Sequence, residues 1–151
     1  MGEPMVRTDL PRGHKLSMAG EDYLEAIYRI ALEGSGENSS AAVRSVDVAE
    51  QLGVSKASVS KALTSLRDAN MVEQARYGRV TLTPEGRAYA KRVWRSHRAL
   101  RTFLVGTLGV APDVADEEAC LMEHYLSDDT INRWCDYLER EGTPIDGDPQ
   151  V

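Results

Sequence analysis

Cysteine and histidine are scarce in this chain, and no part of it is continuously apolar. It has 151 residues and two cysteines, Cys120 and Cys135. These make no disulfide framework, so a reducing compartment is expected. No apolar run approaches the roughly 20 residues that span a bilayer. The N-terminal MGEPMVRTDLPRGHK has no apolar core of the secretory kind. Together these absences predict a cytoplasmic protein with no membrane partner. There is no His-Glu-x-x-His, phosphate loop or nucleophile motif, so an enzyme, including a metal hydrolase, is disfavoured. No repeat of solenoid length is visible either.

What is present is charge, unevenly placed. The net charge is -6, which alone argues against a polyanion partner. Between Arg44 and Arg95, however, ten Lys/Arg face five Asp/Glu, a balance of +5. From His97 to Val151, four Lys/Arg face twelve Asp/Glu, a balance of -8. Phosphate contact depends on local basic surface, so the first region suits nucleic acid and the second suits cations.

The periodicity is mostly helical. From Met18, the residues Leu24, Ile27, Tyr28 and Ala31 follow i, i+3, i+4, i+7. GSGENSSAA (34–42) reads as a loop. Ser45 can cap a short helix, with Asp47 in its first turn, Val46, Ala49 and Leu52 inward, and Gly53 at its end. Ser55 can cap a second helix to about Ala69, with Val59, Ala62, Leu63 and Leu66 inward. Two short helices joined by a glycine turn make a helix-turn-helix. MVEQA and RVTL then flank a turn at Tyr77-Gly78 and predict a hairpin. Thr83 caps, and Pro84 starts, a helix reaching toward Leu108. Helices over about Pro112–Leu126 and from Ser127 to about Arg140 complete the chain. The expected fold is mainly α with a small β-hairpin wing: a winged helix-turn-helix followed by an all-helical dimerisation domain.

In such a unit the outward N-terminal residues of the second helix reach base edges in the major groove. Here these are Ser55, Lys56, Ser58, Ser60 and Lys61. Arg76, Tyr77 and Arg79 on the wing could contact phosphate or the minor groove. One module makes too small an interface for a selective site, which predicts a homodimer on a palindromic double-stranded DNA operator. The apolar helices after Pro84 are the material for that dimer.

The acidic half carries transition-metal ligand types. Cys120, Glu123 and His124 fall at i, i+3, i+4, on one face of a helix. Asp22 and Glu25 are spaced i, i+3 on the first helix, and His97 lies mid-way along the long helix. The chain has three histidines, and two are in this set. Spacing alone does not bring the three helices together.

EDYLEAIYRI (21–30), VAEQLGVSKASVSKALTSL (48–66), VTLTPEG (80–86), RSHRALRTFL (95–104) and EEACLMEHYLS (117–127) together resemble the diphtheria toxin repressor family of metal-dependent regulators. The resemblance covers roughly residues 18–140. It implies a homodimer that binds a palindromic operator when loaded with Mn(II) or Fe(II), and so regulates, as a repressor, genes of metal-ion homeostasis. By position, Asp22, Glu25, His97, Glu123 and His124 match ligands of the short manganese-responsive branch. Cys120 departs from that branch and matches the iron-responsive one. The second iron-branch site would need ligands at Asp116 and Arg101, and an arginine is no ligand. The SH3-like domain of that branch has no room after Arg140.

Hard oxygen ligands suit Mn(II), whereas a thiolate favours Fe(II), Co(II), Ni(II) or Zn(II). Manganese is the expected signal, with iron next; Co(II), Ni(II) and Zn(II) can substitute in vitro. The expected organisation is a flexible arm (1–16), a winged helix-turn-helix DNA-binding domain (17–92), a helical metal-binding and dimerisation domain (93–141) and a tail (142–151). The alternative is a winged-helix regulator answering an organic ligand or thiol oxidation. It keeps the DNA half but leaves Asp22, Glu25 and His97 without a shared role, whereas the metal reading needs no small organic substrate.

Overall fold

The computed structural model describes residues 15–35 and 41–145. The elements are α1 (Met18–Ser35), α2 (Ser45–Leu52), α3 (Lys56–Asp68), β1 (Val72–Gln74), β2 (Val80–Leu82), α4 (Pro84–Gly106), α5 (Pro112–Met122) and α6 (Asp128–Arg140). The described residues fall into two compact units, one over 18–94 and the other from residue 95 to 145; α4 contributes to both. Most of the expected N-terminal arm, and the tail from residue 146, lie outside the described residues.

In the Met18–Trp94 unit, α1 packs on α2 and α3. Leu24, Ile27, Tyr28 and Ala31 are buried, as their spacing predicts. Each large apolar side chain withdrawn from water in this way contributes about 1.5–3 kcal/mol. The α2 reading needs correcting. Ser45 is the first helical residue rather than the cap: the cap position is Arg44, which offers no side-chain cap bond. Instead the Arg44 guanidinium donates to both Asp47 oxygens, at 3.0 and 2.9 Å. Those hydrogen bonds raise the Arg44 pKa above its ordinary value. The inward face shifts accordingly: Val48 is fully buried while Val46 is 41% exposed. Gly53 ends the helix at φ 64°, a left-handed conformation that glycine adopts without a side-chain penalty.

Along α3, Val59, Leu63 and Leu66 are buried, and Ala62 is half-buried. The hairpin pairs Val72 with Leu82, Glu73 with Thr81 and Gln74 with Val80. Val43, just past the predicted loop, adds a short bridge to Val80, with backbone bonds of 2.8 and 2.9 Å. Thr83 Oγ1 accepts from the Gly86 amide at 2.9 Å, capping α4, and donates to the Asn70 carbonyl at 2.7 Å. One hydroxyl thus fastens the start of α4 to the end of the turn after α3.

In the second unit, Ala99, Leu100 and Leu104 of α4 meet Ala115 and Ala119 of α5 and Ile131, Cys135 and Leu138 of α6. Phe103 meets Trp134 edge-on at 5.0 Å. Ser127 caps α6, accepting from the Thr130 amide at 3.2 Å, as expected. Helix α5 is shorter than expected. It ends at Met122 rather than Leu126, and a turn follows in which the Tyr125 amide bonds to the Met122 carbonyl at 3.0 Å.

Candidate metal centre and nucleic-acid interface

His97 lies on the second half of α4 and is 7% exposed. Ala115 and Ala119 are fully buried on α5. They share a core with Ala99, Leu100 and Leu104 of α4, and each is followed by a residue with chemistry, Asp116 and Cys120. Because α5 stops at Met122, Glu123 and His124 do not share its face as continuing helical residues. Glu123 occupies the helix-ending position and keeps right-handed dihedrals, with its amide bonded to the Ala119 carbonyl at 3.0 Å. That retained geometry still points Glu123 along with Cys120. His124 follows in the turn and is 1% exposed.

His97 Nδ1 lies 3.0 Å from Glu123 Oε2. A ligand atom from each of His97, Cys120 and Glu123 lies within 4.8 Å of the others. His124 Nε2 is 3.6 Å from Glu123 Oε1. The Glu123 carboxylate is 3% exposed, and a buried carboxylate requires cationic or hydrogen-bonding company. The trio thus offers an imidazole, a carboxylate and an exposed thiol at one point. Asp22 and Glu25 belong to the other unit, on α1, where Glu25 is buried and Asp22 half-buried. The neighbouring Glu21 is buried too, and its Oε2 accepts the Tyr89 hydroxyl at 2.6 Å.

The sequence offers Asp116 and Arg101 only as positions of a second metal site, which the arginine rules out. Asp116 Oδ1 accepts from Arg101 Nε at 2.7 Å and lies 3.4 Å from His97 Nε2. The available signal was a pair of one-turn spacings, His97 to Arg101 and Asp116 to Cys120, which put each pair on one helix face.

On the other unit, Lys56, Ser58, Ser60 and Lys61 are exposed along α3. Ser55 is its cap, accepting from the Ser58 amide at 3.1 Å, with its hydroxyl bonded to Ser58 Oγ at 2.9 Å. At the wing, Arg76 and Arg79 are exposed and Tyr77 is 94% exposed. Tyr77 has φ 59°, unusual for a bulky residue.

Two family profiles match. That of the iron dependent repressor N-terminal DNA binding domain covers residues 15–80. That of the iron dependent repressor metal binding and dimerisation domain covers residues 83–151. The transcriptional regulator MntR of Salmonella typhimurium is 34% identical over 123 residues, 82% of this chain and 74% of that protein. The chain belongs to the iron-dependent repressor family. It is a metal-dependent transcriptional regulator and not an enzyme. The iron-dependent repressor IdeR of Mycobacterium bovis is 30% identical over 129 residues, 85% of this chain and 54% of its own. A solved manganese-dependent transcriptional repressor in complex with manganese superposes with TM-score 0.67 at 34% identity, covering 83% of this regulator and 53% of that chain. The regulator thus spans about half the length of these last two proteins.

The donor set fits a divalent transition metal. Bonds of about 2.0–2.3 Å to nitrogen, oxygen and sulfur place donors up to roughly 4.6 Å apart. The His97, Cys120 and Glu123 ligand atoms all lie within 4.8 Å of one another, close enough for one ion to gather them.

Proposed function

We propose that this regulator is a metal-activated repressor of metal-ion homeostasis genes. It grips a palindromic operator as a homodimer when loaded with Mn(II) or Fe(II), and acts in the cytoplasm. The observation that carries the reading is the convergence of His97, Cys120 and Glu123 ligand atoms within 4.8 Å. MntR, IdeR and the manganese-bound repressor support it by name.

Asp22 and Glu25 on α1 would hold the ion together with His97, Cys120, Glu123 and His124. The ion would supply the positive charge that lets carboxylates and a thiolate share one place. Helix α1 packs on α2 and α3, so fixing α1 by its two carboxylates constrains the helix that carries Lys56, Ser58, Ser60 and Lys61. Moving a regulator from mostly inactive to mostly active requires about 5.5 kcal/mol of differential binding. Several ligands drawn from different helices are the means of supplying it.

On DNA, Ser55 supports the N-terminus of α3, Lys56 and Lys61 reach phosphate or guanine, and Ser58 and Ser60 let the helix sit deep. Arg76, Tyr77 and Arg79 extend the footprint from the wing. Short hydroxyls read bases weakly, so DNA shape adds selectivity. For the homodimer, Val114 and Leu121 on α5, with Leu108 and Tyr125 nearby in the chain, are 40–61% exposed. Large apolar groups left in water on a dimerisation domain supply a self-complementary face.

The carboxylates suit Mn(II) and the Cys120 thiolate suits softer ions. Manganese is our assignment, with iron the second. The test is gel shift on DNA selected from a random duplex pool, with Mn(II), with anaerobic Fe(II), and with chelator. Activation by either ion and loss with chelator is expected. Activation by iron alone overturns the manganese assignment, and binding indifferent to chelator overturns the metal reading in favour of an organic or thiol signal.

A further inference from the structure

The imidazole of His97 has two ring nitrogens, and a metal ligand uses one of them. Its Nδ1 faces Glu123, at 3.0 Å, and so faces the ligand cluster. Its Nε2 points the opposite way, 3.4 Å from Asp116 Oδ1. That same oxygen is held from the other side by Arg101 Nε at 2.7 Å. The arrangement follows from two helices meeting in register. Arg101 lies one turn beyond His97 on α4, and Asp116 lies one turn before Cys120 on α5, so the helix pair presents a ligand and a support from each side.

We propose that Asp116, anchored by Arg101, is a positioning residue for the metal centre. It accepts the Nε2 proton of His97, which leaves the lone pair on Nδ1 and aims it at Cys120 and Glu123. A histidine ligand is commonly oriented by a carboxylate on its second nitrogen, and removing that partner costs about 10–100-fold in metal affinity. Asp116 is suited to support rather than ligation. Its side chain is 53% exposed, against 9% for His97, and its Oδ1 is already taken by the Arg101 guanidinium. Arg101 in turn fixes the carboxylate, since a solvent-facing aspartate without an anchor would sample several rotamers and orient nothing. The inference rests on the metal-binding reading above.

The test is an anaerobic Co(II) titration of the full chain, read by the ligand-field and thiolate charge-transfer bands and by calorimetric stoichiometry. Asp116→Ala is expected to weaken Co(II) binding about 10–100-fold at unchanged stoichiometry, with a shifted ligand-field band and a retained thiolate band. Asp116→Asn, whose amide oxygen still accepts from Nε2, is expected to recover part of that loss. Arg101→Gln is expected to weaken binding less than Asp116→Ala. Thermal unfolding of the metal-free variants separates orientation from folding, and near-wild-type midpoints are expected because Asp116 lies at the surface. Unchanged affinity and spectrum in Asp116→Ala overturns the proposal while leaving the metal reading intact. Loss of one bound equivalent also overturns it, by making Asp116 a ligand. No Co(II) binding by the wild-type chain overturns both.

Discussion

The α-carbon of Gly86, in the first turn of α4, lies directly against the backbone carbonyl of Met71. A β-carbon built on Gly86 would sit 1.9 Å from the Met71 oxygen. The Thr83 amide bonds to the same carbonyl at 3.1 Å. The junction between the helix-turn-helix and α4 is therefore a backbone-to-backbone contact with no space for a side chain.

Gly86→Ala measures that contact. Alanine gains about 1 kcal/mol of helix propensity over glycine, but the new methyl meets backbone that cannot swing aside, and overpacking costs about 1–3 kcal/mol or more. The clash wins. Urea unfolding is expected to show net destabilisation, and a stability equal to wild type would show that the junction yields.

Glu123→Ala tests the metal switch. It removes the carboxylate nearest His97, so metal-activated DNA binding is expected to vanish in a gel shift, while gel filtration still reports a folded dimer. Undiminished activation in this variant would count directly against Glu123 as a ligand.

Lys61→Ala tests the α3 footprint. Deleting a solvent-facing ammonium that pairs with phosphate weakens binding to all sequences alike, and the slope of log affinity against log salt should fall by about 1 per protomer. An unchanged slope would remove Lys61 from the interface.

Tyr77→Gly separates strain from contact at the wing. Holding a side chain in the left-handed region costs roughly 1–2 kcal/mol, and glycine returns about 0.4–1 kcal/mol of that through the freedom it adds to the unfolded chain. Stability should therefore stay between wild type and roughly 1.6 kcal/mol above it. Operator affinity should fall nonetheless, because the 94% exposed ring is what the strained turn presents. Unaltered affinity would make Tyr77 a bystander.

Cys120→Glu tests metal choice. Replacing the thiolate by a carboxylate hardens the donor set. Competition titration is expected to show lower preference for Zn(II) and Co(II) over Mn(II), and the thiolate charge-transfer band of the Co(II) form should disappear. An unmoved preference would place selectivity elsewhere among the ligands.

Local rules made most of the fold legible. The inward residues of α1 and α3, the caps at Ser55, Thr83 and Ser127, and the Tyr77-Gly78 turn each depend on residues within a turn or two of one another. Those interactions are written in the spacing itself. The α2 register was misread because a salt-linked Arg44–Asp47 pair, rather than a serine hydroxyl, organises its first turn. The end of α5 was misplaced because apolar residues continue through Met122 and Leu126 while the backbone has already turned. Periodicity reports burial, and residues of a tight turn can be buried too.

The imidazole and thiol ligands were likewise visible, because the chain has only three histidines and two cysteines. What chain order alone could not decide was that His97 would meet Cys120 and Glu123, or that Asp116 would take the far nitrogen of the same ring. Those meetings require α4 and α5 to pack close, at one rotation and one height, and that depends on how Ala115 and Ala119 nest against the α4 side chains and α6. Helical repeat specifies which residues share a face; only packing selects which face it meets.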